Sequence, residues 1–70
     1  MKIYKTIELE LRNEVGTIWL NRPQIHNAFN EVMIAELIEM FEEINEREDI
    51  RIVVLRGRGK SFCAGADLNW

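Results

Sequence analysis

The segment EVMIAELIEMFEEINERE, residues 31–48, stands just before IRIVVLRG, residues 50–57, and this pairing limits the folds open to the chain. At about 100° per residue, Met33, Ile34, Leu37, Ile38, Met40, Phe41 and Ile44 share one half of a helical circumference. Glu31, Glu36, Glu39, Glu42, Glu43, Glu46 and Arg47 take the other half and read as a solvated face. The pattern predicts an amphipathic helix with Asn30 as its N-cap, because an asparagine oxygen satisfies a first-turn N–H, and with Asp49 in the turn that follows. IRIVVLRG is β-branched and almost continuously apolar, as expected of a strand covered on both faces. A helix between two strands predicts a right-handed parallel crossover. The fold class is α/β.

Upstream, IELELR alternates, with Ile7, Leu9 and Leu11 to one side and Glu8, Glu10 and Arg12 to the other. That is the period of a half-buried strand. Asn13 and Glu14 fall at a turn, VGTIWLN supplies a second strand, and the two are expected to form an antiparallel hairpin. Pro23 ends it, because proline cannot donate to a ladder. The expected order is hairpin, helix, buried strand. One helix covers one face, so the sheet reads as unfinished.

At 70 residues the chain is at the low end for an independent domain, where the buried fraction of surface is small. A single cysteine excludes an internal disulfide, and one histidine beside it makes no metal-ligand cluster. The net charge of −3 argues against a general nucleic-acid binder. No apolar run is long enough to span a bilayer, and the N-terminus MKIYKTIELELRN lacks an apolar signal core. The sequence reads as a cytoplasmic chain from its natural start, with no membrane partner.

The chemistry is concentrated in GRGKSFCAGAD, residues 57–67. A P-loop needs a glycine five positions before Gly59, where the chain has Val54. A dinucleotide fingerprint needs a third glycine where Phe62 stands. Both nucleotide readings fail. Cys63, Ala64, Gly65 and Ala66 are all small, so backbone amides there can approach a ligand closely. Exposed N–H groups at the C-terminal end of a strand are the materials of an oxyanion hole. Composition and spacing lead to an anion- or carbonyl-binding turn.

LNRPQIHNAFN, the helix after it and VVLRGRGKSFCAGADL together resemble the crotonase, or enoyl-CoA hydratase/isomerase, superfamily, over essentially the whole chain. The resemblance implies the N-terminal ββαβ portion of a ββα spiral, residues 1–70 forming an incomplete domain whose missing layers lie downstream. It implies an acyl-CoA thioester as substrate, no permanently bound cofactor, and a homotrimer or dimer of trimers. It assigns the Ala66 N–H as one of two donors to the thioester oxygen. Gln24, Ile25, His26 and Ala28, with Ala64, Gly65, Asp67 and Leu68, are assigned to line the acyl-CoA. Many relatives carry a basic residue in the turn after the proline; here His26 takes that place, with Arg22 near it. The second oxyanion donor and the two glutamates that handle water lie beyond residue 70 in the family pattern, so these residues alone are not expected to turn over substrate.

The ending FCAGADLNW resembles the branch that acts on branched or carboxylated enoyl-CoAs such as methylglutaconyl-CoA or carboxygeranoyl-CoA, and Asn69 replaces a basic residue of many fatty-acid hydratases. Isomerases, dehalogenases and thioester hydrolases share the same half-sheet. Gly65 is read as needed for a positive φ, and Asp67 as holding the loop through nearby backbone. Cys63 reads as a buried small side chain, Lys60 and Arg58 as loop bases, and Trp19, Phe62, Met33 and Met40 as core. A second reading from another class is a short non-catalytic CoA-binding or assembly module.

Overall fold

The computed structural model describes residues 3–60, 62, 63 and 65. Strand β1 spans Ile7–Arg12, β2 Val15–Leu20, helix α1 Glu31–Asn45 and β3 Ile52–Gly57, with one 3₁₀ turn over Pro23–Ile25. The sheet order is β1-β2-β3. β1 pairs antiparallel with β2, from Ile7 opposite Leu20 to Arg12 opposite Val15. β2 pairs parallel with β3, from Val15 beside Ile52 to Leu20 beside Gly57. The expected α/β order of hairpin, helix and further strand is the one the chain adopts.

The hairpin turn is tight because Asn13 and Glu14 both take left-handed backbone, with φ of 48° and 68°. Positive φ at both central residues is the geometry that matches strand twist. The Glu14 carbonyl then accepts from the N–H groups of Arg51 (2.8 Å) and Ile52 (3.3 Å), so the turn also receives the start of β3.

Strand alternation and register place Ile7, Leu9 and Leu11 on one face with Gly16, Ile18, Leu20, Val53, Leu55 and Gly57. On that face Ile7, Ile18 and Leu20 join Met33, Met40 and Ile44 of α1 in the core. Each such side chain stabilises by about 1.5–3 kcal/mol through burial. Asn30 caps α1 as expected, its Oδ1 accepting from the Met33 N–H at 2.9 Å.

Several expectations need correcting. Helix α1 ends at Asn45, not Glu48. The N–H groups of Glu46 and Arg47 donate to Glu43 and Ile44 carbonyls in tightened turns, and Arg47 reaches Asp49 with two hydrogen bonds of 2.9 and 2.6 Å. Strand β3 starts at Ile52 because Ile50 is drawn against the core instead. The apolar arc of the helix also divides. Met33, Met40 and Ile44 are buried, whereas Ile38 and Phe41 are 55% and 45% exposed and line an open groove of about 560 Å³.

β3 differs most from its sequence. Ile52, Val53, Val54 and Leu55 are 36–57% exposed, so among the described residues neither face of this strand, patterned for two covered faces, is fully covered.

Glu36, read as one of the solvated face, is instead half-buried and turned to the N-terminal segment. Its Oε1 accepts from the Thr6 N–H (2.8 Å) and the Thr6 hydroxyl (2.5 Å), and its Oε2 accepts from the Lys5 N–H (2.8 Å). These bonds clamp the segment entering β1 onto the helix. Burial pushes the Glu36 carboxyl upward, but the Thr6 hydroxyl, the two backbone donors and the Lys5 charge outweigh it and hold the group below its ordinary value.

Candidate functional site

The site is built where the chain leaves β2 and where it leaves β3, two ends that parallel pairing brings side by side. After β2, residues 22–28 form a closed turn. The Arg22 carbonyl accepts from the Ile25 N–H (3.1 Å) and the Asn27 N–H (2.8 Å). The Arg22 guanidinium donates to the Ala28 carbonyl at 2.7 Å. His26 and Asn27 both sit in left-handed backbone, with φ of 54° and 57°. Arg22 therefore ties its own turn together.

Asn27 carries the contact between the two loops. It is wholly buried. Its Oδ1 accepts from the Arg22 N–H at 2.7 Å, and its Nδ2 donates to the Arg58 carbonyl at 2.8 Å. One side chain thus satisfies backbone groups on both loops, and a buried amide must find such partners. Sequence reasoning took the residues on either side of Asn27 and passed over it. The available signal was its type, since asparagine is among the few residues enriched in left-handed backbone.

Glycines let the second loop come this close. A Cβ on Gly57 would lie 2.5 Å from the Phe62 carbonyl oxygen and 2.8 Å from Asn27 Nδ2. A Cβ on Gly59 would lie 2.8 Å from Pro23 Cβ, at a φ of 81°. Farther along, Gly65 has φ 92°, the positive value expected for it. Its carbonyl accepts from the Phe29 N–H at 2.7 Å, closing the second loop onto the first.

Of the expected acyl-CoA contacts, Gln24 and His26 are exposed, Ile25 is half-buried and Ala28 is buried beneath them. Gly65 is exposed on the facing loop. Ala64, Ala66, Asp67 and Leu68 lie outside the described residues, as does Asn69. Cys63 is half-buried against the core, and its Sγ receives the Gly65 N–H at 3.4 Å, an inward packing role in keeping with its small size.

Two residues assigned to the core are not there. Phe62 is 52% exposed. Trp19 is half-buried on the outer sheet face, with the Arg58 guanidinium 3.9 Å and the Arg56 guanidinium 4.6 Å from its ring. Its indole N–H donates to Glu10 at 2.9 Å, while Arg58 Nε donates to Glu8 at 3.1 Å. Arg58 is thus engaged by an aromatic face and a carboxylate. Lys60 is exposed. Among the described residues, no helix is long and apolar enough to cross a membrane.

The arrangement matches known proteins closely. Residues 10–70 fit the family model described as enoyl-CoA hydratase/isomerase. The chain is 46% identical over 55 residues to the 1,2-epoxyphenylacetyl-CoA isomerase of Escherichia coli, covering 79% of this chain and 21% of that one. It is 40% identical over 65 residues to a probable enoyl-CoA hydratase of Mycobacterium tuberculosis, covering 93% and 25% respectively. The crystal structure of an enoyl-CoA hydratase from Shewanella pealeana superposes with a TM-score of 0.90 at 42% identity, covering 94% of this chain and 25% of that one. The chain thus spans about a quarter of the length of these relatives. Its hairpin, helix and following strand match the N-terminal part of the crotonase fold. With a family model matched from residue 10 to residue 70, the chain belongs to the enoyl-CoA hydratase/isomerase family.

Proposed function

We propose that this chain supplies the acyl-CoA-binding segment of an enzyme that adds water across the double bond of an enoyl-CoA thioester. The observation that carries the reading is the joining of two loops through one buried side chain: Asn27 bonds the Arg22 N–H in one and the Arg58 carbonyl in the other. That junction sets a turn beside the glycine-rich loop at the C-terminal ends of two parallel strands, where open α/β sheets bind ligands.

In this reading Gln24, Ile25, His26 and Ala28 face the CoA from the first loop. Ala64, Gly65, Asp67 and Leu68 face the thioester from the second. The Ala66 N–H donates to the thioester oxygen. As the enolate forms, negative charge grows on that oxygen, so the donor binds the transition state more strongly than the substrate. Losing one such donor raises the barrier by about 3–4 kcal/mol. Water activation falls to carboxylates farther along the family pattern, with a second N–H completing the pair. Coenzyme A enters as part of the substrate, and no resident cofactor takes part. The assembly is a homotrimer or dimer of trimers. The ending FCAGADLNW supports a branched or carboxylated enoyl-CoA as substrate, of the methylglutaconyl-CoA or carboxygeranoyl-CoA type.

The identity to an epoxyphenylacetyl-CoA isomerase favours a second chemistry on the same loops, isomerisation without addition of water. Incubating the natural gene product with straight-chain and carboxylated enoyl-CoAs and weighing the products separates the two. Hydration adds the mass of one water, whereas isomerisation adds nothing and moves the double bond. Consumption of none of the thioesters, together with no binding of acyl-CoA, sinks both in favour of a non-catalytic module.

A further inference from the structure

We propose that the outer face of the sheet, opposite α1, is a docking surface for a second copy of this chain, related to the first by a two-fold axis along β2. The proposal does not rest on the acyl-CoA reading. Strand pairing sets the outward side chains in level rows: Glu8, Trp19 and Arg56, then Glu10, Thr17 and Val54, then Arg12, Val15 and Ile52. In the first row an acid on β1 and a base on β3 flank an indole on the middle strand. Glu8, Glu10 and Arg56 are exposed, and Ile52 and Val54 add exposed apolar surface on the same side.

Both charges of that row have capacity left. Arg56 lies over the Trp19 ring, 4.6 Å from its centroid, and among the described residues it has no carboxylate partner. Glu8 accepts from Arg58 Nε through Oε1 at 3.1 Å, which leaves Oε2 for a second donor, since a carboxylate accepts at both oxygens. A face with one sign on each flank is complementary to its own copy. Turned over about an axis along β2, a second sheet lays its β1 above the first copy's β3. Glu8 of each copy then faces Arg56 of the other at the same level, and Trp19 meets Trp19 on the axis. An isologous contact of this kind makes each pairing twice, with the sheets about 10 Å apart and their strands about 30° from parallel. Turning the copy end for end instead sets Glu10 against Glu10 and Arg56 against Ile52, so charge selects the first arrangement.

Tryptophan and arginine are the side chains that most often dominate such contacts. Three six-residue strands offer a face of only about 20 by 15 Å, small beside a standard interface, so the contact fills at high concentration. Sedimentation of the natural gene product between about 1 μM and 1 mM tests this. The mass is expected to rise with concentration to twice that of whatever assembly the protein forms when dilute. Glu8→Arg and Arg56→Glu, each alone, set like charges together at both contacts and are expected to weaken association about tenfold. Mixing the two variants restores it, because an arginine pair on one copy then faces a glutamate pair on the other. Placing both changes in one chain restores it as well.

Should either variant fail to fold, Glu8→Gln and Arg56→Gln remove the attraction without adding repulsion, and are expected to weaken association about threefold. A wild type that keeps one mass at every concentration overturns the proposal and leaves the face to another occupant, other residues of the same protein included. Association that survives both charge reversals overturns it as well. So does a loss in the single variants that mixing fails to repair, since the two-fold contact requires that repair.

Discussion

Strands β2 and β3 lie hydrogen-bonded side by side, yet they live in different surroundings. β2 has Ile18 and Leu20 buried with the α1 side chains and Gly16 buried near Ile50 and Leu9, with Val15, Thr17 and Trp19 half-covered on the other side. β3 also has four apolar residues among its six, Ile52, Val53, Val54 and Leu55, yet it is exposed along nearly its whole length. Apolar content records the surroundings a strand is suited to, and burial records the surroundings it has. In this chain the stability rests on the first strand pair and the helix, while the candidate site hangs from the end of the more open strand.

The sharpest way to break this contrast is to truncate matched side chains. Ile18→Ala in β2 should cost about 2–5 kcal/mol, the range for a buried aliphatic cut to alanine, which is enough to unfold so small a chain. Its register partner Leu55 is 38% exposed, and Leu55→Ala should cost well under half as much by urea denaturation. Equal losses would mean that β3 is as much a part of the core as β2.

The end of β3 is where this open strand becomes tightly constrained. Gly57→Ala places a methyl group 2.5 Å from the Phe62 carbonyl oxygen, and backbone cannot yield as a flexible side chain can. A loss of about 1–3 kcal/mol is expected, as for overpacking, with acyl-CoA binding lost before the fold is. A variant that melts like wild type would show that the loop approaches Asn27 less closely than these distances require.

On the well-packed side, the Glu36 clamp should show itself through pH. Its carboxyl is held below the ordinary value of 4.5 by the Thr6 hydroxyl and the Lys5 and Thr6 N–H groups, against the opposing pull of burial. A depressed folded pKa contributes stability that is fully present above the unfolded value and disappears as pH falls through the folded one. Glu36→Gln should therefore cost about 1 kcal/mol near neutral pH, a figure kept small because solvent reaches the group, and progressively less as the pH is lowered below 4.5. A constant difference across that window would assign the clamp to packing and not to charge.

The smallest effect expected is on the outer face of β3, where Val54 is 36% exposed. Val54→Lys should change stability by about 0.5 kcal/mol or less while clearly lowering hydrophobic-dye binding and self-association, since exposed apolar edge strands invite pairing. A large loss of stability would place Val54 in contacts that the open strand does not otherwise show.

How much of this could be read beforehand follows the range of the interactions. The hairpin, its turn at Asn13 and Glu14, the Asn30 cap and the helix are local, and the pattern of neighbouring residues specified them. Glu36 looked like one more acid on a charged face because its partners, Lys5 and Thr6, are some thirty residues away in sequence. Trp19 looked like core because an indole is mostly apolar, whereas two arginines on the neighbouring strand end offer it a cationic partner on the surface. The two loops of the candidate site were legible through family resemblance. The residue that joins them was not, because an asparagine's worth depends on which backbone groups arrive beside it. Ala66, at the centre of the proposed chemistry, lies outside the described residues.

The bond from Asn27 to the Arg58 carbonyl bridges 31 positions of chain. Its consequence is one of order in time. A hairpin joined by two residues and a helix closed every four can form in microseconds, whereas a contact between distant positions must first bear the entropy of closing the intervening chain. On a growing polypeptide, Asn27 is made well before its partner exists, and its amide waits in water until β3 has been added. The junction that defines the candidate site thus depends on the hairpin and the helix being in place before it.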